Sequence, residues 1–196
     1  MENNREVFFT SDHHFGHKNV IKYTNRPFAD VEEMDAEMIK RYNSVVTKKD
    51  IVYFIGDFSF YSDAEKVIGI LMSLNGEKHF VSGNHDKGMH YNEKIVKCFQ
   101  TYSRVPYKEI YVPDASVRNG KQAITLCHYA MRVWNKSHHG AFHLYGHSHG
   151  SLPDDPNSLS FDVGVDAWDF YPVSYTQVKE TMAKKTWKAI DHHGRD

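Results

Sequence analysis

The sequence predicts an α/β protein with two mixed β-sheets and helices on the outside. In the first half of the chain, β-branched and aromatic runs alternate with stretches whose apolar residues repeat at helical spacing. In the second half the pattern is mostly strand-like, with a turn signal at Asn119-Gly120. Clusters of Asp, Asn and His follow the strand-like runs, which is where open α/β sheets place their sites.

The first half predicts three strands and three helices. The pair Asp30 and Glu33 forms a capping-box pattern, and apolar residues at helical spacing follow it as far as Val45. A second capping pattern, Ser62 with Glu65, begins the next helix, which ends at Asn75-Gly76. A further helix is predicted around residues 92–99. The predicted strands are residues 7–10, 51–55 and 79–81.

The second half predicts strands at residues 107–112, 122–128, 142–145 and 160–165. Ser174 and Gln177 predict the start of a last helix, and residues 187–190 predict a short final strand. We expect a single domain over residues 1–196, with a polar tail from about residue 191 that includes His192 and His193.

Composition excludes several classes of function. The net charge is −1 and no basic stripe stands out, so duplex binding through many phosphate contacts is not favoured. Two cysteines are too few for a disulfide framework. No signal-peptide core and no run long enough to span a bilayer is present, so we expect a cytoplasmic protein without a membrane partner. Fourteen histidines are far above background and indicate metal chemistry.

Five short polar clusters carry that chemistry. Residues two apart in an extended segment point to the same side, so Asp12 and His14 can reach one metal ion. Taken alone, each cluster could be a solvated loop, but Gly83-Asn84-His85-Asp86 and Gly146-His147-Ser148-His149 have no packing purpose at strand ends. Together the clusters supply N and O donors for two divalent ions, one spare histidine and no thiolate, which points to phosphate-ester hydrolysis. The other clusters are Asp12-His13-His14, Gly56-Asp57 and Cys127-His128.

The order Asp-x-His, Gly-Asp, Gly-Asn-His-Asp, His, Gly-His-x-His resembles the calcineurin-like metallophosphoesterase superfamily. The match runs from residue 12 to residue 149. The opening Asp12-His13-His14-Phe15-Gly16-His17, with Asn25-Arg26-Pro27-Phe28 beyond it, is similar to a small subgroup found in bacteria and phages. This resemblance implies a four-layer αββα sandwich of two mixed sheets flanked by helices, with a dinuclear metal site.

The resemblance also implies the ligands of two divalent metal ions, with Asp57 shared between them. The donor set suits Mn²⁺, Fe or Zn²⁺ better than Ca²⁺, and we favour Mn²⁺ with the other two as alternatives. A shared carboxylate offsets the repulsion between two nearby dications. The first ion would be held by Asp12, His14, Asp57 and His149, and the second by Asp57, Asn84, His128 and His147.

His85 is the spare imidazole, and the resemblance implies that it protonates the leaving oxygen or stabilises the phosphoryl charge. Asp86 is predicted to accept a hydrogen bond from the other ring nitrogen of His85. His17 and Arg26 are predicted contacts of the substrate phosphate, although a helix salt bridge or a surface charge fits Arg26 equally well. His13 should point away from the metals, and either a core position or the support of a metal ligand is expected for it.

The expected reaction is attack of a metal-bridging hydroxide on phosphorus. Protein phosphatases of the superfamily carry an Arg shortly after Gly-Asp, whereas Gly56-Asp57 is followed by residues 58–62 without an Arg. This difference favours a phosphodiesterase acting on small or nucleotide-derived esters. Tyr23, Tyr61 or Trp134 could stack on a base, or could belong to the core.

Two alternatives remain at this point. A nuclease acting on DNA or RNA is disfavoured by the near-zero net charge, although a local basic patch would not show in that average. A non-catalytic scaffold that retains the fold is disfavoured because every expected ligand position is filled. The sequence makes no prediction of the oligomeric state.

Overall fold

The computed structural model describes residues 5–191, so the part of the predicted tail that contains His192 and His193 lies outside the described residues. Within residues 5–191, no helix combines the length and the apolar character needed to cross a bilayer. Short 3₁₀ turns occur at Asp86–Gly88, Ser137–His139 and Val165–Ala167. The helices are α1 (Val20–Tyr23), α2 (Val31–Val45), α3 (Ala64–Ser73), α4 (Glu93–Val96) and α5 (Tyr175–Met182). The strands are β1 (Val7–Thr10), β2 (Ile51–Ile55), β3 (Glu77–Val81), β4 (Thr101–Ser103), β5 (Tyr107–Pro113), β6 (Lys121–Cys127), β7 (Phe142–Tyr145), β8 (Ser160–Asp162) and β9 (Val173–Ser174).

These strands form two mixed sheets. The first has the order β4-β3-β2-β1-β9, and all its neighbours are parallel except β1 and β9. The second has the order β5-β6-β7-β8, with an antiparallel pair β5/β6 followed by parallel pairs. The predicted α/β class with two mixed sheets is therefore confirmed.

The first sheet is buried on both faces, which explains its continuous apolar strands. Phe54 and Phe80 belong to a core that includes apolar residues of α2 and α3. The residues that follow them, Ile55 and Val81, belong to a second core with Leu144 and other apolar residues of the second sheet. Because successive side chains of a strand point to opposite faces, β2 and β3 join the helical layer to the sheet-on-sheet layer.

The segment before β7 covers the second sheet. Trp134 is buried there, its ring centroid lies 5.2 Å from that of His143, and its indole N–H donates to the Ala141 carbonyl at 2.9 Å. Of the two roles left open for Trp134, the structure therefore supports the core role. The layers agree with the sandwich expected from the resemblance.

Several boundaries differ from the prediction. Strands β4 and β9 were not predicted, α4 is shorter than residues 92–99, and β8 ends before residue 165. The predicted strand at residues 187–190 is wrong, because no strand is assigned there. The chain is instead anchored just before that point, where Lys185 Nζ donates to the Ser160 carbonyl at 2.7 Å and Thr186 N to the Pro156 carbonyl at 2.9 Å.

The start of α3 gives a first testable prediction. Its N-cap is Asp63, whose carboxylate accepts from Glu65 N at 2.9 Å, so the predicted cap at Ser62 is off by one residue. We expect Asp63→Ala to lower the free energy of unfolding by about 1 kcal/mol, because the first turn loses an acceptor for a free N–H group. Denaturant unfolding measures this free energy. Ser62→Ala is the matched control and should leave it unchanged, because Ser62 is not the N-cap. An equal loss in both variants would contradict the assignment.

Candidate metal centre

The seven predicted ligands all lie in loops that follow strands. Because parallel strands present their carboxyl ends at one edge of a sheet, these loops gather between the two sheets at one edge. The isolated bridges Ser11↔Gly164 and Phe15↔Ser59 tie the β1 loop to its neighbours. The ligands are Asp12 and His14 after β1, Asp57 after β2, Asn84 after β3, His128 after β6, and His147 and His149 after β7.

The structure brings six of these side chains into two groups. In each group, one donor atom per residue lies within 4.8 Å of the others. Asn84 joins the second group, since its Oδ1 lies 3.0 Å from His128 Nε2. Each group falls within one of the ligand sets implied by the resemblance, with Asp57 in the second group only. The first group is Asp12, His14 and His149, and the second is Asp57, His128 and His147.

Asp57 belongs to the second group and also lies close to the first. Its Oδ2 is 3.6 Å from His14 Nε2 in the first group and 3.4 Å from His128 Nε2 in the second. Its Oδ1 accepts from the backbone N–H of His85 at 2.9 Å, which fixes the carboxylate plane. A carboxylate in this position can coordinate a metal ion in each group.

Hydrogen bonds orient two of the imidazoles. His128 Nδ1 lies 2.8 Å from the Ile55 carbonyl oxygen, and His149 Nδ1 lies 2.7 Å from Asp166 Oδ2. Since a carbonyl and a carboxylate are acceptors, Nδ1 carries the proton in both rings. Nε2 of each ring is then the atom left to bind a metal, which would displace the Nε2 proton where the ring is charged, in the arrangement in which metal-binding histidines are usually held.

The backbone of this region is strained. Five of the seven predicted ligands have positive φ values, between 48° and 68°. Non-glycine residues rarely adopt this conformation, and such strain concentrates at functional sites because it is maintained by the surrounding structure. The five residues are Asp12, His14, Asp57, His147 and His149.

Two glycines allow the loops to approach each other closely. A Cβ atom at Gly83 would overlap the carboxylate of Asp57, and a Cβ at Gly146 would overlap the carboxylate of Asp12. The glycines that opened the sequence motifs are therefore required by the space that the neighbouring carboxylates occupy.

The charges of the site fit bound cations. Burial raises the pKa of the Asp12 carboxyl to about 7 and lowers that of the His14 imidazole to about 2. Burial alone would raise the pKa of Asp57, but the hydrogen bond and charge of His128 lower it to about 2. Both ring nitrogens of His14 are buried and lack a hydrogen-bond partner among the described residues. Such groups are costly to bury, and a divalent cation would satisfy them.

Asp86 does not pair with the His85 ring as predicted. Its carboxylate is buried and accepts from three backbone N–H groups: Gly83 at 2.6 Å, Asp57 at 2.7 Å and Phe58 at 2.9 Å. The carboxylate therefore joins the β2 and β3 loops instead of orienting the imidazole. The catalytic role predicted for Asp86 becomes a positioning role.

Arg26 also differs from its predicted contact with substrate. Its side chain has 0% exposure and forms a two-pronged ion pair with Asp166, with both N···O distances 2.8 Å. Its remaining donors reach the carbonyls of Asp12 at 2.7 Å and His13 at 2.8 Å. A guanidinium with these partners and no exposed surface cannot bind an incoming phosphate. It is not a surface charge either, and its salt bridge joins a residue 140 positions away instead of one in the same helix.

The residues around the centre behave as follows. The predicted core position of His13 is confirmed, since it is buried and its ring stacks on Phe15 at 5.2 Å. His17 lies beside the first group, with its ring centroid 5.5 Å from that of His14. Its contact with substrate remains a prediction. Two aromatic residues of the rim, Phe60 and Tyr129, were not singled out by the sequence, because nothing in their spacing distinguishes them from core residues.

The chain is similar to a known protein family, to proteins of an archaeon and a phage, and to a solved structure. A profile described as calcineurin-like phosphoesterase matches residues 6–168. An uncharacterised protein of Methanocaldococcus jannaschii is 34% identical, covering 92% of this chain and 93% of its own. The gene 66 protein of Mycobacterium phage L5 is 30% identical, covering 83% and 87%. A crystal structure of a protein of unknown function from Aquifex aeolicus has a similar fold, with a TM-score of 0.65 at 22% identity, covering 90% of this chain and 99% of its own.

Proposed function

The chain belongs to the calcineurin-like phosphoesterase family, and from that premise we propose that it is a dinuclear-metal phosphodiesterase acting on small or nucleotide-derived esters. The observation that carries the proposal is the position of Asp57, within 3.6 Å of a histidine in each ligand group. A pair of ions that share one carboxylate is a common arrangement for in-line displacement at phosphorus.

Mn²⁺ is the ion that we favour. Carboxylate and amide oxygens suit hard cations, whereas the four imidazoles suit softer ones, and Mn²⁺ accepts both. Two bound cations would supply positive charge for the phosphoryl oxygens and acidify water to give a nucleophile at neutral pH. Fe and Zn²⁺ are the alternatives to be compared in the assay below.

His85 is the group that supplies a proton. The His85 ring lies at the edge of the centre, with its centroid 5.8 Å from that of His14, and it is not in either ligand group. From there it donates a proton to the leaving oxygen as the bond to phosphorus breaks. Asp86 and Asp57 hold the main chain on either side of His85 in place.

Two features favour a diester over a monoester. A monoester dianion is usually bound through a cationic fork such as Arg, and here the Arg26 donors are directed into the protein. The centre is also open, since His147 is exposed and Phe60 beside His85 is 38% exposed. An open site accommodates the second substituent that a diester carries.

The test is a metal-supplemented assay of the purified protein with Mn²⁺, Fe²⁺ or Zn²⁺. We expect bis(p-nitrophenyl) phosphate to be hydrolysed with a higher kcat/KM than p-nitrophenyl phosphate. The reverse order would contradict the diester preference. Two bound metals without turnover would indicate a scaffold, and a strongly salt-dependent preference for an oligonucleotide would indicate a nuclease.

His85→Ala tests the proton donor. We expect the rate of diester hydrolysis to fall by about 10²–10⁴, the usual contribution of general acid–base catalysis, while two metals remain bound. The backbone N–H that holds Asp57 is unaffected by the change. Metal content is measured by elemental analysis of the same preparation.

The matched control is His139→Ala, an exposed histidine in the 3₁₀ turn Ser137–His139, which should retain full activity. If metal content fell in His85→Ala, then His85 would be a ligand and its assigned role would be wrong.

A further inference from the structure

Two large aromatic side chains at the metal centre are exposed. Phe60 follows the β2 loop and is 38% exposed, and Tyr129 follows β6 and is 40% exposed. Neither residue is part of the two hydrophobic cores that the described residues form. Because both rings lie beside the metal centre, they can contact a ligand that is bound there.

Phe60 lies against the first ligand group and the proposed proton donor. Its ring stacks on that of His17 with centroids 3.9 Å apart and an angle of 11°, and its centroid lies 4.9 Å from that of His85. Its backbone N–H donates to the Phe15 carbonyl at 2.8 Å, which fixes the residue to the β1 loop. The exposed part of the ring therefore has a defined position at the edge of the centre, beside His85.

Tyr129 lies against the second ligand group. Its ring centroid is 4.8 Å from that of His147 and 5.2 Å from that of His128. Its hydroxyl is 3.5 Å from Asn84 Oδ1, which keeps the ring close to the ligand cluster. Each ligand group thus has one exposed aromatic ring beside it.

The other aromatic candidates are placed differently. Tyr61 packs against the first core, and its hydroxyl donates to Asp35 Oδ2 at 2.9 Å. Trp134 is buried, as described above. Tyr23 is 76% exposed, but its nearest ring is that of His17, 6.2 Å away. Phe60 and Tyr129 are therefore the rings best placed to contact a substituent on the phosphorus.

We propose that Phe60 and Tyr129 form an aromatic rim that stacks on the base of a nucleoside phosphodiester, and that nucleoside diesters are the preferred substrate class. This inference rests on the proposed phosphodiesterase function. Every base has a π-face, so stacking on Phe and Tyr selects for a base without distinguishing one base from another. Alkyl diesters of the same charge lack this contact.

The test compares two diesters with the same leaving group. These are the p-nitrophenyl ester of thymidine 5′-phosphate and methyl p-nitrophenyl phosphate. Their ratio of kcat/KM values measures recognition of the nucleoside, because the metals and the leaving group contribute equally to both. We expect the wild-type protein to prefer the thymidine ester.

The informative variants are Phe60→Leu and Tyr129→Leu, which keep an apolar side chain and remove the ring. We expect the ratio to fall by about tenfold in each, within the range that stacking on one aromatic ring contributes. Tyr129→Phe keeps the ring, so its ratio should equal that of the wild-type protein. Tyr111→Leu is the control, since Tyr111 is 45% exposed on β5 and pairs with Ala123, near the other end of β6. An unchanged ratio in both Leu variants would overturn the rim and leave the phosphodiesterase proposal intact.

Failure of the proposed function would be recognised separately. If the wild-type protein hydrolysed neither ester with any metal, calorimetric binding of thymidine 5′-methylphosphonate would decide the rim on its own. Tighter binding of this compound than of the methyl ester of methylphosphonate, which has the same single negative charge, supports the rim without turnover if the difference is lost in the two Leu variants. Equal or absent binding of both compounds by the wild-type protein overturns it.

Discussion

Asp57→Asn is expected to remove both metal ions and to lower the rate of diester hydrolysis by more than about 10⁴-fold, beyond the loss of a single acid–base group. The amide has the size of the carboxylate but no charge. Because Asp57 Oδ2 faces histidines of both ligand groups, the change affects two sites at once. Elemental analysis and the diester assay measure the two effects.

The matched control for this prediction is Asp35→Asn. Asp35 is also a buried carboxylate, and it accepts hydrogen bonds from Gly16 N and from the Tyr61 hydroxyl, but it belongs to neither ligand group. This variant should retain two metals per chain. Retention of both metals by Asp57→Asn would remove the bridging role, and loss of only one would assign Asp57 to a single ion.

The ligand set was predictable because each ligand lies in a short motif at the end of a strand. Local chemistry recurs there: a glycine gives space, and a carboxylate or imidazole follows it, as in Gly56-Asp57 and Gly146-His147. The strained backbone at these ligands could not be predicted from the motifs. Positive φ values arise from contacts between loops, such as His147 N donating to Asp12 Oδ2 at 2.9 Å.

The roles of Asp86 and Arg26 could not be predicted, because their partners are distant in the chain. Adjacency suggested that Asp86 serves His85, whereas the free N–H groups of Asp57 and Phe58, nearly thirty residues earlier, require an acceptor and obtain it. Arg26 pairs with Asp166, 140 residues away. Asp166 also accepts a hydrogen bond from the predicted ligand His149, at 2.7 Å.

The errors in the predicted secondary structure have a similar origin. Strands β4 and β9 have three and two residues, too few to show a period of two, and they form because the edges of the first sheet offer backbone partners. The run at residues 187–190 has a strand-like pattern but is paired in neither sheet. Pairing depends on available edges, which the local pattern does not encode.

Arg26→Ala is expected to lower the free energy of unfolding by about 3–5 kcal/mol, the cost of breaking a buried ion pair by removing one partner. The Asp166 carboxylate would keep only His149 as a partner, and the carbonyls of Asp12 and His13 would lose their donors. In the wild-type protein, burial alone would raise the pKa of Asp166. The hydrogen bonds from His149 and Arg26 instead hold this pKa well below its usual range. Denaturant unfolding of metal-free protein measures the loss.

Arg41→Ala is the matched control. The guanidinium of Arg41, like that of Arg26, lies 5.6 Å from the centroid of the Phe170 ring, but it pairs with Glu37 and the exposed Asp169. Because water screens such surface pairs, its loss should be several-fold smaller. A second measurement separates positioning from stability: Arg26→Ala should also weaken metal affinity by about 10–100-fold, as loss of a group supporting a ligand usually does. Unchanged affinity would make the Arg26–Asp166 pair a purely structural bridge.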